Sequence, residues 1–142
     1  MAINFFTEDI EFKFKKKKDL KSWIKQVIVS EKKVIGNLNY IFTSDKYLLK
    51  INQKYLNHNT YTDIITFNYD EGNIINGDIY ISIDRVKENA MKYANNFDNE
   101  FYRVVIHGVL HLIGYDDTNE YLEKVIRNKE DDYLKLLRQA IL

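Results

Sequence analysis

Residues 99–114 read NEFYRVVIHGVLHLIG, the longest apolar-rich stretch of the chain with a helical pattern. The stretch predicts a helix over Asn99–Ile113. Gly114 follows at the position where helices commonly end, because glycine adopts the left-handed backbone conformation without steric cost. The chain holds only three histidines, and two of them lie in this predicted helix, so their placement is informative.

These two histidines, His107 and His111, are four residues apart. One helical turn takes about 3.6 residues, so both imidazoles project from the same face, with Cβ atoms about 6 Å apart. That separation suits two bonds of about 2.1 Å to one metal ion. Two hydrogen-bonded histidines in the core would show the same spacing, so both interpretations stay open on spacing alone.

After Gly114 the chain turns back and presents two carboxylates, Asp116 and Asp117, either of which can reach the same ion. Two neutral imidazoles and one carboxylate leave a site of charge +1 with an open position for water, as a catalytic metal requires. Gly108 stands where the HExxH motif of metalloproteases carries its glutamate. This substitution argues against a thermolysin-like peptidase.

The flanking sequence predicts strands and helices in alternation, followed mainly by helices. The predicted strands are Asn39–Phe42, Asp63–Phe67 and Gly77–Ser82, and the short apolar segments Ile3–Phe6 and Ile10–Phe14 predict edge strand or a strand with a bend. The other predicted helices are Asp19–Ser30, a helix capped by Ser44 with Tyr47, Leu48, Ile51 and Tyr55 on its buried face, Asp84–Ala94 and Glu120–Leu142. This order predicts an α+β fold with a small mixed sheet and about five helices.

Length and composition narrow the class of protein further. A length of 142 residues predicts one domain over 1–142. Equal numbers of basic and acidic residues, 21 each, exclude a polycationic tail-like protein, and the absence of cysteine excludes disulfides and thiolate metal sites. The sequence shows neither a transmembrane run nor a signal-peptide pattern, so we expect a cytoplasmic protein.

Three blocks of the sequence resemble motifs of the YbeY family of bacterial rRNA-maturation endoribonucleases. Residues 107–117, HGVLHLIGYDD, are similar to the family signature HGxLHLxGYDH. Residues 51–55 and 62–67 resemble the segment LNxxYR…PTDVLSF, and residues 77–82, GDIYIS, resemble GDIxIS. The three blocks keep the family order, and the length of the chain fits a whole family member.

This resemblance implies a metal-dependent endoribonuclease that acts on single strands in rRNA maturation and ribosome quality control. It implies ribosomal RNA and ribosomal proteins as partners, with no membrane and no DNA. It also implies one divalent ion, zinc first, held by His107, His111 and Asp117. The fold it implies is a four-stranded sheet with helices, in which a central, zincin-like helix carries the metal.

The chain departs from the family motifs at three positions. Leu56 replaces an arginine that lies near the metal cleft in the family, and leucine cannot clamp a phosphate. Tyr61 replaces a proline, and Asp117 replaces the third histidine. Because two histidines and a carboxylate also suit iron and manganese, these ions stay candidates. The cations that can stand in for the arginine are Lys54, Arg85 and Arg103.

Since the net charge is zero, RNA binding requires a local cationic groove, for which Lys13, Lys15–Lys18, Lys50 and Lys54 are candidates. Asp63 and Asp78 are the candidates for a general base or for support of the imidazoles, with strand-end capping as the alternative for Asp78. Two other functions stay open: a zincin-like metallopeptidase, and a non-catalytic, metal-stabilised ribosome-assembly factor. The loss of the arginine favours the second of these.

Overall fold

The computed structural model describes the backbone of residues 2–141 and the side chains of residues 2–139. In chain order, the elements are β1 (Ala2–Thr7), α1 (Lys17–Ser30), β2 (Val34–Thr43), α2 (Asp45–Leu56), β3 (Ile64–Asn68), β4 (Ile74–Ser82), α3 (Ile83–Lys92), α4 (Phe97–Ile113) and α5 (Glu120–Ile141). These elements confirm the predicted α+β fold with a four-stranded mixed sheet and five helices. The predicted end of the last helix, Leu142, lies outside the described residues.

The sheet has the strand order β1-β2-β4-β3. β1 and β4 both pair with β2 in parallel, while β3 pairs with β4 in antiparallel. Along β4, Ile75, Gly77, Ile79 and Ile81 are buried, and Asp78 and Tyr80 point to the other face. The buried face packs against α4, and α2 covers part of the opposite face, where Tyr55 contacts Phe67 with ring centroids 5.7 Å apart.

Helix α4 lies close against the sheet because a glycine leaves room for it. A Cβ atom added at Gly108 would come within 2.9 Å of side-chain atoms of Ile64 and Ile79. Any side chain at this position would therefore push the helix away from the sheet. The helix also contacts α1, α3 and α5, so most of its surface is buried and its histidines are held by a rigid element.

The ends of the helices follow their capping residues. The Ser44 side chain accepts a hydrogen bond from the Tyr47 N–H at 3.1 Å, which confirms the predicted N-cap of α2. The Asn96 side chain accepts one from the Asn99 N–H at 2.8 Å, so α4 begins at Phe97, two residues before the predicted start. Gly114 has a φ of 125°, which confirms its role in ending the helix.

Two sequence expectations are wrong. Ile10–Phe14 forms no strand, because its alternating apolar residues anchor a loop on the core: Phe12 and Phe14 pack against Phe42 and Phe101. Tyr55 was expected on the buried face of α2, yet it is 57% exposed. Within residues 2–141, no helix is long and apolar enough to cross a bilayer.

Candidate metal centre

His107 and His111 direct their Nε2 atoms at each other from consecutive turns of α4. The two atoms are 2.9 Å apart, and the ring centroids are separated by 4.5 Å. Oδ2 of Asp117 lies 3.6 Å from Nε2 of His107 and 3.5 Å from Nε2 of His111. The structure therefore brings together the three residues that the sequence and the resemblance indicated, and their ligand atoms all lie within 4.8 Å of one another.

The three separations can be tested against the size of a metal ion. They define a common point about 1.9 Å from all three atoms, close to the bond lengths of about 2.0–2.2 Å that zinc makes with imidazole nitrogen and carboxylate oxygen. All three side chains are partly exposed, so solvent and substrate can approach from one side. The donor set fits one divalent ion with an open coordination position.

The loop after α4 selects Asp117 over Asp116, the alternative left open by spacing. Asp116 turns its carboxylate back into the loop, where it accepts hydrogen bonds from the Asp117 N–H at 2.7 Å and from the Thr118 hydroxyl at 3.3 Å. The Tyr115 hydroxyl donates to Glu31 at 2.5 Å and so ties the loop to the end of α1. With Asp116 and Tyr115 engaged in this way, the loop presents Asp117 to the histidines.

Glu130 of α5 orients His107 by contacting the ring nitrogen that faces away from His111. Its Oε2 lies 2.6 Å from Nδ1 of His107, and its Oε1 accepts a hydrogen bond from Arg103 at 2.9 Å. A carboxylate that already accepts from arginine also accepts from Nδ1–H, which leaves the lone pair of Nε2 facing the centre. Burial lowers the pKa of His107, but the hydrogen bond and charge of Glu130 outweigh burial and raise it. Burial and the nearby His107 lower the pKa of His111.

Glu130 is not among the residues predicted from the sequence, although a signal for it exists. Ile126, Glu130 and Leu134 are spaced four apart along α5, and all three are buried. Glu130 is therefore a carboxylate within the apolar stripe of an amphipathic helix. A charged residue at such a position is almost never buried without a partner, so the pattern predicts a buried ion pair. Its partners lie 23 and 27 residues away, which the pattern does not show.

Of the two candidate carboxylates from the sequence, Asp63 reaches the site and Asp78 does not. Asp63, just before β3, lines the same cavity as His107 and Asp117. Burial raises the pKa of Asp63, although its electrostatic interaction with His107 partly opposes this effect. Asp78 lies on the opposite face of the sheet. There it accepts a hydrogen bond at 3.0 Å from the side chain of Asn39, its partner residue on the neighbouring strand β2. Asp78 therefore supports neither imidazole and caps no strand end.

The centre opens into a cavity of about 590 Å³ between α4 and α5. Three cations line this cavity: Arg103, Lys124 and Arg127. Arg103 is already paired with Glu130 and with Asp131, at 2.9 and 2.6 Å. Leu56, Lys54 and Arg85 do not line it, and Arg85 is paired with Asp45 at 2.9 Å. Lys124 and Arg127, which the sequence analysis did not identify, are therefore the cations available to a substrate phosphate.

Comparisons with known proteins identify the family of the chain. The sequence model of the family described as Endoribonuclease YbeY matches residues 2–138. The Endoribonuclease YbeY of Flavobacterium psychrophilum is 50% identical over 131 residues, which cover 92% of this chain and 94% of that protein. That of Parabacteroides distasonis is 42% identical and covers 96% of each chain. A solution structure of a Thermotoga maritima protein superposes with a TM-score of 0.67 at 30% identity, over 96% of this chain and 89% of that one.

Proposed function

Because the chain belongs to the endoribonuclease YbeY family, we propose that it is a metal-dependent endoribonuclease acting on single-stranded segments of ribosomal RNA. The convergence of His107, His111 and Asp117 on one point supports this proposal. The role would lie in rRNA maturation and ribosome quality control, in the cytoplasm, with ribosomal proteins nearby and DNA not a substrate. Residues 1–142 would form one hydrolase domain, with α4 as its zincin-like metal helix.

The proposed ligands of one divalent ion are His107, His111 and Asp117. Zinc fits the two imidazoles best, and the carboxylate also suits iron or manganese. Such an ion, when bound, polarises a phosphoryl oxygen and lowers the pKa of a water molecule toward about 7. Glu130 would fix the orientation and tautomer of the neutral His107 ring: its carboxylate, 2.6 Å from Nδ1, accepts the Nδ1–H and so leaves the lone pair on Nε2.

Two further parts of the cavity would serve the reaction. Asp63 is the proposed proton acceptor, because burial raises its pKa toward the range in which a carboxyl group exchanges a proton readily. Lys124 and Arg127 would contact the phosphates that flank the cleaved bond, in place of the arginine that is Leu56 here.

The decisive experiment compares wild-type protein with His107→Ala and with the control His58→Ala, whose side chain is exposed on the loop after α2. Metal content is measured by elemental analysis, and cleavage is assayed on a 12-nucleotide RNA, the matching DNA and casein. We expect stoichiometric metal and RNA cleavage for wild type and His58→Ala, and neither for His107→Ala. Cleavage of casein alone would establish the peptidase, and bound metal without any cleavage would establish the assembly factor.

A further inference from the structure

The cavity at the metal centre is poorly suited to hold an RNA chain by charge. Only three cations line this cavity, against six carboxyl groups. The carboxyl groups belong to Asp63, Glu100, Asp117, Glu120, Glu123 and Glu130. A bound divalent ion would reduce this negative excess without reversing it. Because the affinity of proteins for RNA comes largely from neutralised phosphates, the metal cavity alone predicts weak binding. If RNA is the substrate, a positive surface elsewhere must supply the affinity.

The structure contains such a surface at the other end of α4 and α5. A cavity of about 630 Å³ lies between residues 12–16, the first turns of α4 and the last turns of α5. Its lining carries four cations, Lys13, Lys15, Lys16 and Arg138, against the single carboxylate of Asp98. Lys17 and Lys18 follow directly in sequence, both exposed. We name this cavity the Lys–Phe groove.

Three of the four cations that line the groove are available to a ligand. Lys13, Lys15 and Arg138 are exposed, and none of them forms an ion pair within the part of the chain that the structure describes. They differ in this respect from Arg85 and Arg103, whose guanidinium groups are paired with carboxylates. A cluster of exposed, unpaired cations in a protein of zero net charge is a local positive patch of the kind that attracts a polyanion.

Aromatic rings give the groove a second property of single-strand binding sites. Phe12, Phe14, Phe97 and Tyr102 line it and are partly exposed. They are held in place by packing on buried Phe101, with ring centroids 5.3–5.8 Å from it. Rigid, partly exposed rings beside lysines suit unpaired bases and their phosphates, because stacking on aromatic side chains is tolerant of base identity. An acidic protein would use the cations but not the rings.

We propose that the Lys–Phe groove binds a segment of single-stranded RNA that flanks the segment in the metal cavity. The proposal rests on the proposed function and specifies where the substrate is held. Along α4, Phe97 and Phe101 precede His107 by ten and six residues, about 9–15 Å at 1.5 Å per residue. At about 3.4 Å per nucleotide of a stacked strand, at least three to five nucleotides separate the two cavities. RNA must therefore exceed this length to use both.

The test compares Lys13→Ala/Lys15→Ala with Lys46→Ala/Lys87→Ala, which removes two exposed lysines from α2 and α3. Binding is measured by fluorescence anisotropy over a range of salt concentrations, with a 12-nucleotide single-stranded RNA, a 4-nucleotide RNA and a 12-residue oligoglutamate. We expect the first variant to bind the 12-mer about fivefold more weakly or worse at 0.15 M salt, with a salt slope smaller by about 1.4. The control should match wild type, and circular dichroism should show both variants folded.

The outcomes separate the groove from the proposed activity. In cleavage assays, Lys13→Ala/Lys15→Ala should raise KM for the 12-mer, keep kcat, and leave the 4-mer unaffected, because the short RNA reaches only the metal cavity. If this variant binds the 12-mer as tightly as the wild-type protein does, while the wild-type protein cleaves RNA, the proposal for the groove is overturned and the proposed activity stands. Oligoglutamate binding as tight as RNA would assign the groove to an acidic protein instead. If the wild-type protein cleaves no RNA at all, the proposed function is overturned.

Discussion

The candidate metal centre and the Lys–Phe groove lie at opposite ends of the α4–α5 pair and are built in opposite ways. At the metal centre, charged groups are interlocked: Glu130 is buried and contacts both His107 and Arg103, and Asp117 faces both histidines. In the groove, Lys13 and Lys15 are exposed and have no ion-pair partner among the described residues.

The difference reflects what each region has to do. Ligands must be held within a fraction of an ångström for metal chemistry, which requires burial and hydrogen bonds around each of them. Long-range attraction of a polyanion requires only positive charge near the surface, and unpaired lysines supply it without fixed geometry. Substitutions at the metal centre should therefore have large effects that are specific to position, and substitutions in the groove should have modest effects that depend on salt.

The largest effect is expected at the third ligand. Asp117→Ala should weaken metal binding more than 100-fold, beyond the 10–100-fold loss typical of a residue that only supports a ligand. Asp116→Ala is the matched control and should have the smaller effect, since its carboxylate serves the loop. Asp117→His should retain a three-ligand site with selectivity shifted toward zinc, because imidazole is the softer donor. Metal dissociation constants measure all three, and stronger binding by Asp117→Ala than by Asp116→Ala would refute the assignment.

Glu130→Gln should give the next largest effect. The amide keeps the shape of the side chain but removes the charge that favours the Nδ1–H tautomer of His107, so metal affinity should fall about 10–100-fold. Glu123→Gln changes an exposed carboxylate of the same cavity and should bind metal as wild type does. Equal affinities for the two variants, measured by competition with a chelating dye, would show that Glu130 stabilises the fold without tuning the centre.

A pH-dependent effect is expected where the loop of residues 114–119, named here the metal loop, is tied to α1. Burial raises the pKa of Glu31, but hydrogen bonds from Tyr115 and Tyr133 and the charge of Lys129 outweigh burial, so the pKa is lowered. A lowered folded-state pKa contributes stability above the unfolded pKa of about 4.5, and this contribution is lost as pH falls through the folded value. Glu31→Gln should thus lower the free energy of unfolding by about 2 kcal/mol at pH 7 and by less near pH 3.

Urea unfolding at the two pH values measures this difference, and Glu71→Gln, at an exposed turn, serves as its control. The metal loop should loosen with the loss of charge at Glu31, because the Tyr115 hydroxyl would then donate to a weaker acceptor. A destabilisation that is the same at both pH values would show that packing, and not the charge of the carboxylate, ties the loop to α1.

The smallest effect is expected from restoring the arginine of the family motif. Leu56 is 42% exposed and does not line the metal cavity, so Leu56→Arg should strengthen RNA binding only a few-fold, through the added positive charge. Leu56→Gln adds polarity without charge and should leave binding unchanged. Cleavage and binding across salt concentrations distinguish the two, and a gain above tenfold would show that the strand runs past Leu56 and that Lys124 and Arg127 do not replace the arginine.

Local sequence patterns predicted most of the secondary structure and part of the site. The i, i+4 histidine pair, the Ser44 cap and the Gly114 helix end depend on residues within one or two turns of each other, and the structure places all three as expected. The prediction of a strand at Ile10–Phe14 is wrong, because alternating apolar residues indicate that a segment is buried but not that it pairs with a strand. Whether such a segment joins a sheet depends on a partner strand elsewhere in the chain.

The sequence by itself determined the class of fold, the helix that carries the histidines and the resemblance that indicates the family. The resemblance already implied Asp117, but only the tertiary structure showed which carboxylates lie beside the two histidines. Asp117 was selected over Asp116 by the turn after Gly114, and Glu130 reaches His107 only because α5 packs against α4 at one particular rotation. Because successive side chains of β4 point to opposite faces of the sheet, Asp78 points away from the two histidines. These choices depend on the register between elements distant in sequence, and local patterns of residues contain no information about that register.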